Sequence, residues 1–161
     1  MSEQDMFLKL EGLKSGAIKG ESHDEKHKDE IDVVSWSWGM EARTPMSSAG
    51  ASQKATIHEL QVSKRVDSAS TALMAALRNN EEIKKGVLTV RKAGKTAHEY
   101  LKITIQKGRI TTVNVRSGVG DSPADLFEDV RFSFQRIAVE YVPQGPDGQP
   151  RGGMLFETEI T

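Results

Sequence analysis

Two histidines, His23 and His27, lie four residues apart among acidic side chains, the closest approach to a metal-binding motif in this 161-residue chain. On a helix, this spacing would place both imidazoles on one face, where they could bind zinc. The surrounding residues 11–30 are polar and lack the apolar stripe that holds a helix in place, and no third ligand is implied. We interpret the segment as a solvated loop and predict neither a metal site nor a cofactor. His58 and His98 lie in predicted strands, in the core or on the surface.

The residue patterns of common catalytic sites are missing from the sequence. There is no cysteine, hence no thiol nucleophile, and no G-x-S-x-G turn to present a serine. Residues 118–120 start like a dinucleotide fingerprint but continue without its third glycine. No two carboxylates are paired in an apolar setting, the arrangement that raises one pKa for acid catalysis. We therefore predict that the protein is not an enzyme.

The elements that would position any site are mostly strands, because apolar residues alternate along most of the chain. The predicted strands cover 6–10, 31–40, 55–66, 86–92, 97–106, 109–117, 130–142 and 154–160. Turns are predicted at 93–94 and 107–108. One helix is predicted from an N-cap at 68–71 to Asn79-Asn80, followed by at most a few helical residues near 81–82. Together these indicate one domain over 1–161, a small β-barrel of about eight antiparallel strands with one flanking α-helix.

Two strands carry further information in their alternation. The strand at 31–40 has a small, polar face formed by Ser35, Ser37 and Gly39. Its opposite face is bulky and consists of Val34, Trp36 and Trp38. In the strand at 130–142 the apolar phase switches at Gln135-Arg136, which predicts a bulge, a corner or a change of buried face.

Charge is segregated along the chain although the net charge is only −1. Residues 78–116 hold ten basic and three acidic side chains, whereas residues 117–161 hold three basic and eight acidic ones. This pattern fits a nucleic-acid surface, a molecule whose basic part meets the acidic part of a neighbour, or simply solvated faces. Broad phosphate binding usually needs a field of one sign, so we predict no nucleic-acid partner.

The first residues are acidic and lack the apolar region of a Sec-type signal. No apolar run approaches the ~18 residues needed to span a bilayer. We expect a chain made in the cytoplasm without membrane insertion. Export by a machine that needs no signal stays open.

An ordered set of short stretches covers most of the chain, from about residue 5 to 160, and resembles the haemolysin-coregulated protein family. The N-terminal stretches are 5–9, 20–22 with Asp24 and His27, 30–31 and 36–39. The later ones are 88–94, 99–101 and 139–141 with the proline–glycine loop that follows.

The resemblance implies a tube protein of the bacterial type VI secretion system. Its members form β-barrels that assemble as homohexameric rings with a wide channel, and the rings stack into a tube inside a contractile sheath. The implied partners are further copies of the chain, the spike protein, sheath and baseplate components, and small effectors in the channel. The implied route is synthesis in the cytoplasm followed by secretion without a signal peptide.

Three hypotheses concern sites in such an assembly. The first is that the tryptophans are buried and that the channel is lined by Ser35, Ser37 and Gly39. The second is that 43–53 and 143–153 are extended arms, the first making stacking or subunit contacts through Arg43, Thr44, Pro45, Met46 and Ser47. The third is that a hairpin tip with Lys92, Gly94 and Lys95 meets Glu157 and Glu159 on the next ring. Each hypothesis has an alternative. Ser37 could point outward on the exterior of the ring, residues 43–53 could be a plain surface loop, and the hairpin tip could point into solvent.

Two other functions fit the same pattern. A monomeric ligand-binding β-barrel carrier would hold an apolar cavity and form no ring. A nucleic-acid-binding barrel would use the basic segment, but Tyr100 is the one aromatic residue there that could stack on a base. The native mass of the purified protein separates the carrier from the ring.

Overall fold

The structure is a computed structural model that describes residues 4–42, 55–92, 98–118, 124–146 and 152–160. These residues form eleven strands and one helix. The first six strands are β1 (Gln4–Gly12), β2 (Gly16–Ile18), β3 (Ile31–Ser37), β4 (Met40–Glu41), β5 (Thr56–Ile57) and β6 (Leu60–Arg65). The rest of the chain forms α1 (Ser70–Arg78), β7 (Glu82–Lys92), β8 (His98–Ser117), β9 (Leu126–Ser133), β10 (Arg136–Tyr141) and β11 (Met154–Glu159).

Six strands close a barrel in the order β8-β7-β1-β3-β6-β9, with β9 returning to pair with β8. The predicted barrel is confirmed, but it closes with six strands instead of about eight. Strands β10 and β11 continue the sheet outward from β8, and we call this pair the wing. The small β4–β5 hairpin forms a separate sheet. All pairings among the described strands are antiparallel.

The barrel interior is filled by apolar side chains from every barrel strand. They include Leu8, Leu10, Ile31, Leu60, Val62, Leu88, Ile103, Ile105, Val130 and Phe132. Leu73 and Ala76 of α1 belong to the same cluster, so the helix packs directly against the barrel core. Burial of these side chains, each stabilising by about 1.5–3 kcal/mol, is the main force that holds the strands in register.

Strand β8 is one continuous strand of 20 residues, so the turn predicted at 107–108 is wrong. Its first half pairs with β7 and β10, and its second half pairs with β9. Lys107 has φ 52°, and a Cβ on Gly108 would lie 2.7 Å from the carbonyl oxygen of Ser133. The Lys-Gly pair therefore marks a local distortion where the strand exchanges one partner for another.

The phase switch predicted at Gln135-Arg136 is confirmed as a corner. Strand β9 ends at Ser133 and β10 begins at Arg136. Phe132 before the corner and Ile137 after it are both fully buried, although five positions separate them. The corner lets the chain leave the barrel and start the wing while both segments keep an apolar side on the core.

The helix starts in the predicted N-cap region. The Asp67 carboxylate accepts a hydrogen bond from the Ala69 backbone N–H at 2.9 Å, and the Ser70 hydroxyl accepts one from the Asp67 N–H at 2.9 Å. Asn80 lies in the left-handed region with φ 55° and ends the helix. The helical residues predicted near 81–82 are wrong, because β7 begins at Glu82. Within the part of the chain that the structure describes, no helix is long and apolar enough to cross a bilayer.

Strand β2, which forms a hairpin with the end of β1, lies within residues 11–30 that we interpreted as loop, and Glu81 holds the hairpin turn. The Glu81 carboxylate accepts hydrogen bonds from the backbone N–H groups of Lys14 and Ser15 and from the Ser15 hydroxyl, at 2.8–3.0 Å. These bonds favour the charged form and lower the pKa of Glu81. The carboxylate thus joins the hairpin turn to the start of β7.

The variant Glu81→Ala is expected to lower the free energy of unfolding by about 1 kcal/mol, because solvent replaces three exposed hydrogen bonds to a charged acceptor. Urea denaturation measures this. Ser15→Ala is the matched control, since it removes only the hydroxyl contact and should cost less. If both variants lose the same stability, the two backbone N–H contacts contribute nothing.

Candidate functional site

The two serines predicted to line a channel lie on an exposed polar surface of the barrel. Ser35 and Ser37 on β3 are exposed and lie opposite Ser63 and Gln61 on β6. Trp36 lies opposite Val62, which is fully buried, and packs against the core. The predicted opposition between the serines and Trp36 is therefore observed.

Val34 does not share the face of Trp36, in contrast to the prediction. It is 47% exposed, because the register shifts between Val33 and Ser35 and one extra residue changes the phase of the strand. Trp36 and Trp38 are only partly buried, although both pack against the core. The Trp38 indole N–H donates to the carbonyl oxygen of His58 at 2.9 Å, which fixes the end of β3.

The polar surface continues from β3 across two neighbouring strands. We call it the serine face and define it by Ser35, Ser37, Gln61, Ser63, Asp129 and Arg131, which pair across β3, β6 and β9. The Ser63 hydroxyl donates to Asp129 at 2.6 Å, and Arg116 donates to the same carboxylate at 3.1 Å. These contacts lower the pKa of Asp129 and hold it ionised.

A groove of about 480 Å³ lies at one end of the serine face. It is lined by Ser37, Trp38, Gly39, Ile57, His58, Glu59, Gln61 and Arg131. Gly39, the third residue predicted to line the channel, is therefore next to Ser37 in space as well as in sequence. The groove therefore combines polar groups, charges of both signs and two apolar side chains, a mixture that suits contact with a polypeptide surface.

Of the ten residues predicted at ring or stacking contacts, the structure describes Lys92, Glu157 and Glu159. Arg43, Thr44, Pro45, Met46, Ser47, Gly94 and Lys95 lie outside the described residues. Glu157 and Glu159 both bind the Arg136 guanidinium of the same chain, at 3.3 and 3.4 Å. Both carboxylates are about half exposed or more, so they stay accessible to a partner while one internal cation offsets part of their charge.

The wing carries several exposed large apolar side chains, including the two most exposed among the described residues. Met154 is 66% exposed, Leu155 60% and Phe156 43%, and Tyr141 is also exposed. Met154 lies opposite Tyr141, and Phe156 lies opposite Val139. These four side chains share one side of the wing, and Leu155 lies on the other. Contiguous exposed apolar surface of this kind usually marks an interaction site.

His27 is not in a solvated loop, which corrects our interpretation of its segment. It is 8% exposed, contacts Glu30 and Glu99, and stacks on the ring of Phe7. His98 is also buried, with Nε2 2.7 Å from the carbonyl oxygen of Val142. Among the described residues, no group of three or more histidine or acidic side chains is arranged to hold a metal ion.

Arg91 on β7 joins the segment that contains His27 to the barrel through a second set of contacts. Its guanidinium donates to Asp24 at 2.7 and 3.0 Å and to Asp5 at 3.1 Å, and it lies 4.9 Å from the centre of the Phe7 ring. The hydrogen bonds from Arg91 lower the pKa of Asp24 to about 2 and raise that of Arg91. The pair therefore stays ionised over the whole neutral range.

Between about pH 4 and pH 2 the ion pair between Asp24 and Arg91 is expected to lose its stabilising effect. A lowered pKa means that Asp24 stabilises the fold above its unfolded value of 3.8 and loses this effect as pH falls through about 2. The difference in Tm between the native chain and Asp24→Asn should shrink over this range by about 3 °C in circular dichroism melts. Glu25→Gln removes an exposed charge of the same segment and is the control. Parallel Tm curves for the native chain and Asp24→Asn contradict the assignment.

A lysine and a glutamate are fully buried inside the barrel, and sequence reasoning missed both. Lys64 on β6 pairs with Glu128 on β9, and its ammonium also contacts Asp67 at 2.9 Å and Ser70 at 3.3 Å. The Ser70 hydroxyl donates to the same Glu128 oxygen at 2.8 Å. The cluster therefore joins two barrel strands to the first turn of α1.

Comparison with known proteins decides the family. The family model described as "Type VI secretion system effector, Hcp" matches residues 7–141. The chain belongs to the Hcp family. The resemblance found in the sequence is confirmed, and with it the assignment to type VI secretion.

Individual Hcp proteins are similar over nearly their full length. Protein hcp1 of Pseudomonas aeruginosa is 36% identical over 152 residues, which are 92% of this chain and 90% of that protein. Among solved structures, Hcp1 from Salmonella typhimurium is 32% identical, with a TM-score of 0.79 over 98% of this chain and 95% of that one. A type VI secretion system effector from Yersinia pestis is 28% identical, with a TM-score of 0.74 over 97% and 100%.

Proposed function

We propose that this Hcp chain is the tube subunit of a type VI secretion system. Six copies form a ring, rings stack into a tube, and sheath contraction expels the tube with small effectors in its channel. The observation that carries the proposal is the wing. It leaves the barrel as two strands whose exposed apolar side needs a partner, and a head-to-tail contact between identical subunits supplies one.

In such a ring the wing of one subunit packs against its neighbour through Tyr141, Met154 and Phe156. The contact is heterologous, because the wing meets a different surface of the next subunit, and repeated rotation closes the ring. Each apolar side chain buried in this way contributes about 1.5–3 kcal/mol. Six equivalent contacts make the closed ring far more stable than any open fragment.

The serine face is the part of the subunit that suits a channel wall. Its side chains are short and polar, and Ser63, Asp129 and Arg116 already satisfy one another. Such a surface offers hydrogen bonds to passing effectors without a large apolar patch that would hold them. Ser35, Ser37 and Gly39 are the residues that we place at effector contact.

Stacking would use the charged ends of the subunit and the arms at 43–53 and 143–153. We place Lys92, Gly94 and Lys95 of one ring against Glu157 and Glu159 of the next, a contact that competes with Arg136 for the two carboxylates. The further partners are the spike protein and the sheath and baseplate components. The whole chain acts as one domain without catalytic activity. It is made in the cytoplasm and then secreted by the type VI system without a signal peptide.

Size-exclusion chromatography with light scattering tests the proposal. The expected native mass is about six times the 17.7 kDa of one chain, with rings and a central hole in negative-stain images. A mass of one chain without rings overturns it and favours the monomeric ligand-binding carrier. The filled barrel interior supports the ring, because a carrier needs an internal cavity for its ligand.

A further inference from the structure

His27 lies between two carboxylates from different parts of the chain. Its Nδ1 is 2.9 Å from Glu30 of the same segment, and its Nε2 is 2.5 Å from Glu99 on β8. The imidazole stacks on the Phe7 ring with a centroid distance of 4.4 Å and an angle of 7°. The ring is therefore fixed on its face and at both nitrogens.

The two contacts constrain how the imidazole can carry its protons. An ionised carboxylate can only accept hydrogen bonds, and a neutral imidazole has one N–H. Contact with both Glu30 and Glu99 therefore requires both nitrogens to carry hydrogen, as in the imidazolium ion. When the proton is lost, one nitrogen turns a lone pair toward a carboxylate and an attraction becomes a repulsion.

We propose that His27 is a pH-sensitive latch that holds the His27 side of residues 20–30 on the barrel when it is protonated and releases that side when it loses its proton. Histidine is the residue type that most often serves as a proton-dependent switch in proteins. The latch closes at lower pH and opens as pH rises. Opening breaks the link to Glu99 and uncovers Phe7, which is 4% exposed in the closed form.

An ion pair beside the latch does not depend on the His27 proton. Beyond Phe7 lies Arg91, which binds Asp24 of the same segment and Asp5 on β1. The pKa of Asp24, about 2, keeps this pair ionised at neutral and alkaline pH. The contact between Asp24 and Arg91 is thus insensitive to pH, whereas the contact between His27 and Glu99 depends on the His27 proton. The segment therefore opens at the His27 side and stays attached through Asp24.

The latch does not depend on assembly of the six-subunit ring. It is tested on the native chain by nuclear magnetic resonance. Ring nitrogen shifts of His27 report its protonation from pH 5 to 9, and amide exchange reports the opening of the segment. The amides to follow are those of Ser22, Asp29 and Glu30, which bond within it. Their protection factors, corrected for intrinsic exchange, should fall about tenfold with the same midpoint as the ring titration, while core strand amides stay constant.

Variants provide the controls. His27→Gln should remove the pH dependence of amide exchange in residues 20–30. Glu99→Gln keeps the His27 imidazole and should weaken this pH dependence. His23→Gln changes an exposed histidine of the same segment and should behave like the native chain. Protection that stays constant while the His27 ring titrates, or a ring that is neutral over the whole range, overturns the proposal.

Discussion

Replacing Lys64 by methionine is expected to lower the free energy of unfolding by about 3–5 kcal/mol, a large part of the 5–15 kcal/mol of an ordinary domain. The reason is the charge left behind. Glu128 is fully buried, and its Oε2 already has no hydrogen-bond partner among the described residues. Without the Lys64 ammonium, the carboxylate stays in an apolar interior with only the Ser70 hydroxyl bound to it. Urea denaturation of the purified variant measures the loss.

Two further variants show whether the unpaired charge is the cause. The double change Lys64→Met with Glu128→Leu removes both charges and should recover most of the lost stability, since apolar residues of similar size replace a buried pair at little cost. Lys85→Met removes an exposed lysine from β7 and should change stability by less than about 0.5 kcal/mol. A double variant as unstable as Lys64→Met alone would contradict this account.

Met154→Asp is expected to prevent assembly of the proposed ring, so that the native mass is that of a single chain, about one sixth of the mass of the ring. Met154 is 66% exposed in the isolated chain, so an aspartate there leaves the barrel core intact. In the proposed ring contact the same position is covered, and burying an unpaired carboxylate at each of six contacts is prohibitive. Light scattering gives the mass, and circular dichroism confirms that the subunit is folded.

Leu155 offers a matched control on the opposite side of the wing. It is 60% exposed and adjacent in sequence, but its side chain points away from Tyr141 and Phe156. Leu155→Asp should therefore leave the ring assembled. If Leu155→Asp disrupts assembly and Met154→Asp does not, the contact uses the other side of the wing. If neither changes the mass, the wing is not the ring contact.

The sequence was most informative where an element has a strong local pattern. Alternation located the strand that begins with Ile31, and the phase change at Gln135-Arg136 located the corner between barrel and wing. The Lys107-Gly108 pair was misleading because a short polar pair after a strand resembles a hairpin turn. It is the pairing partners of β8, fixed by the tertiary fold, that let the strand continue. The three residues of β2 are too few to show any period.

The candidate sites were less accessible from local patterns. His27 was interpreted as solvated because its segment is polar, and Glu99, its partner, lies 72 residues away. Lys64 and Glu128 could have been found. Lys64 is in phase with Leu60 and Val62, as Glu128 is with Val130 and Phe132, so a strict two-residue period places both charges inside. The expectation that charged residues face water concealed this.

The length of β8 has a mechanical consequence. Strand β8 is both a strand of the barrel and the strand with which the wing pairs. A force applied to the wing is therefore passed directly to a barrel strand. Pulling along the strand must shear the ladders with β7, β9 and β10 together, since all three strands pair with β8. In the proposed tube, a subunit built this way would pass an axial force from the wing to the barrel through one continuous strand.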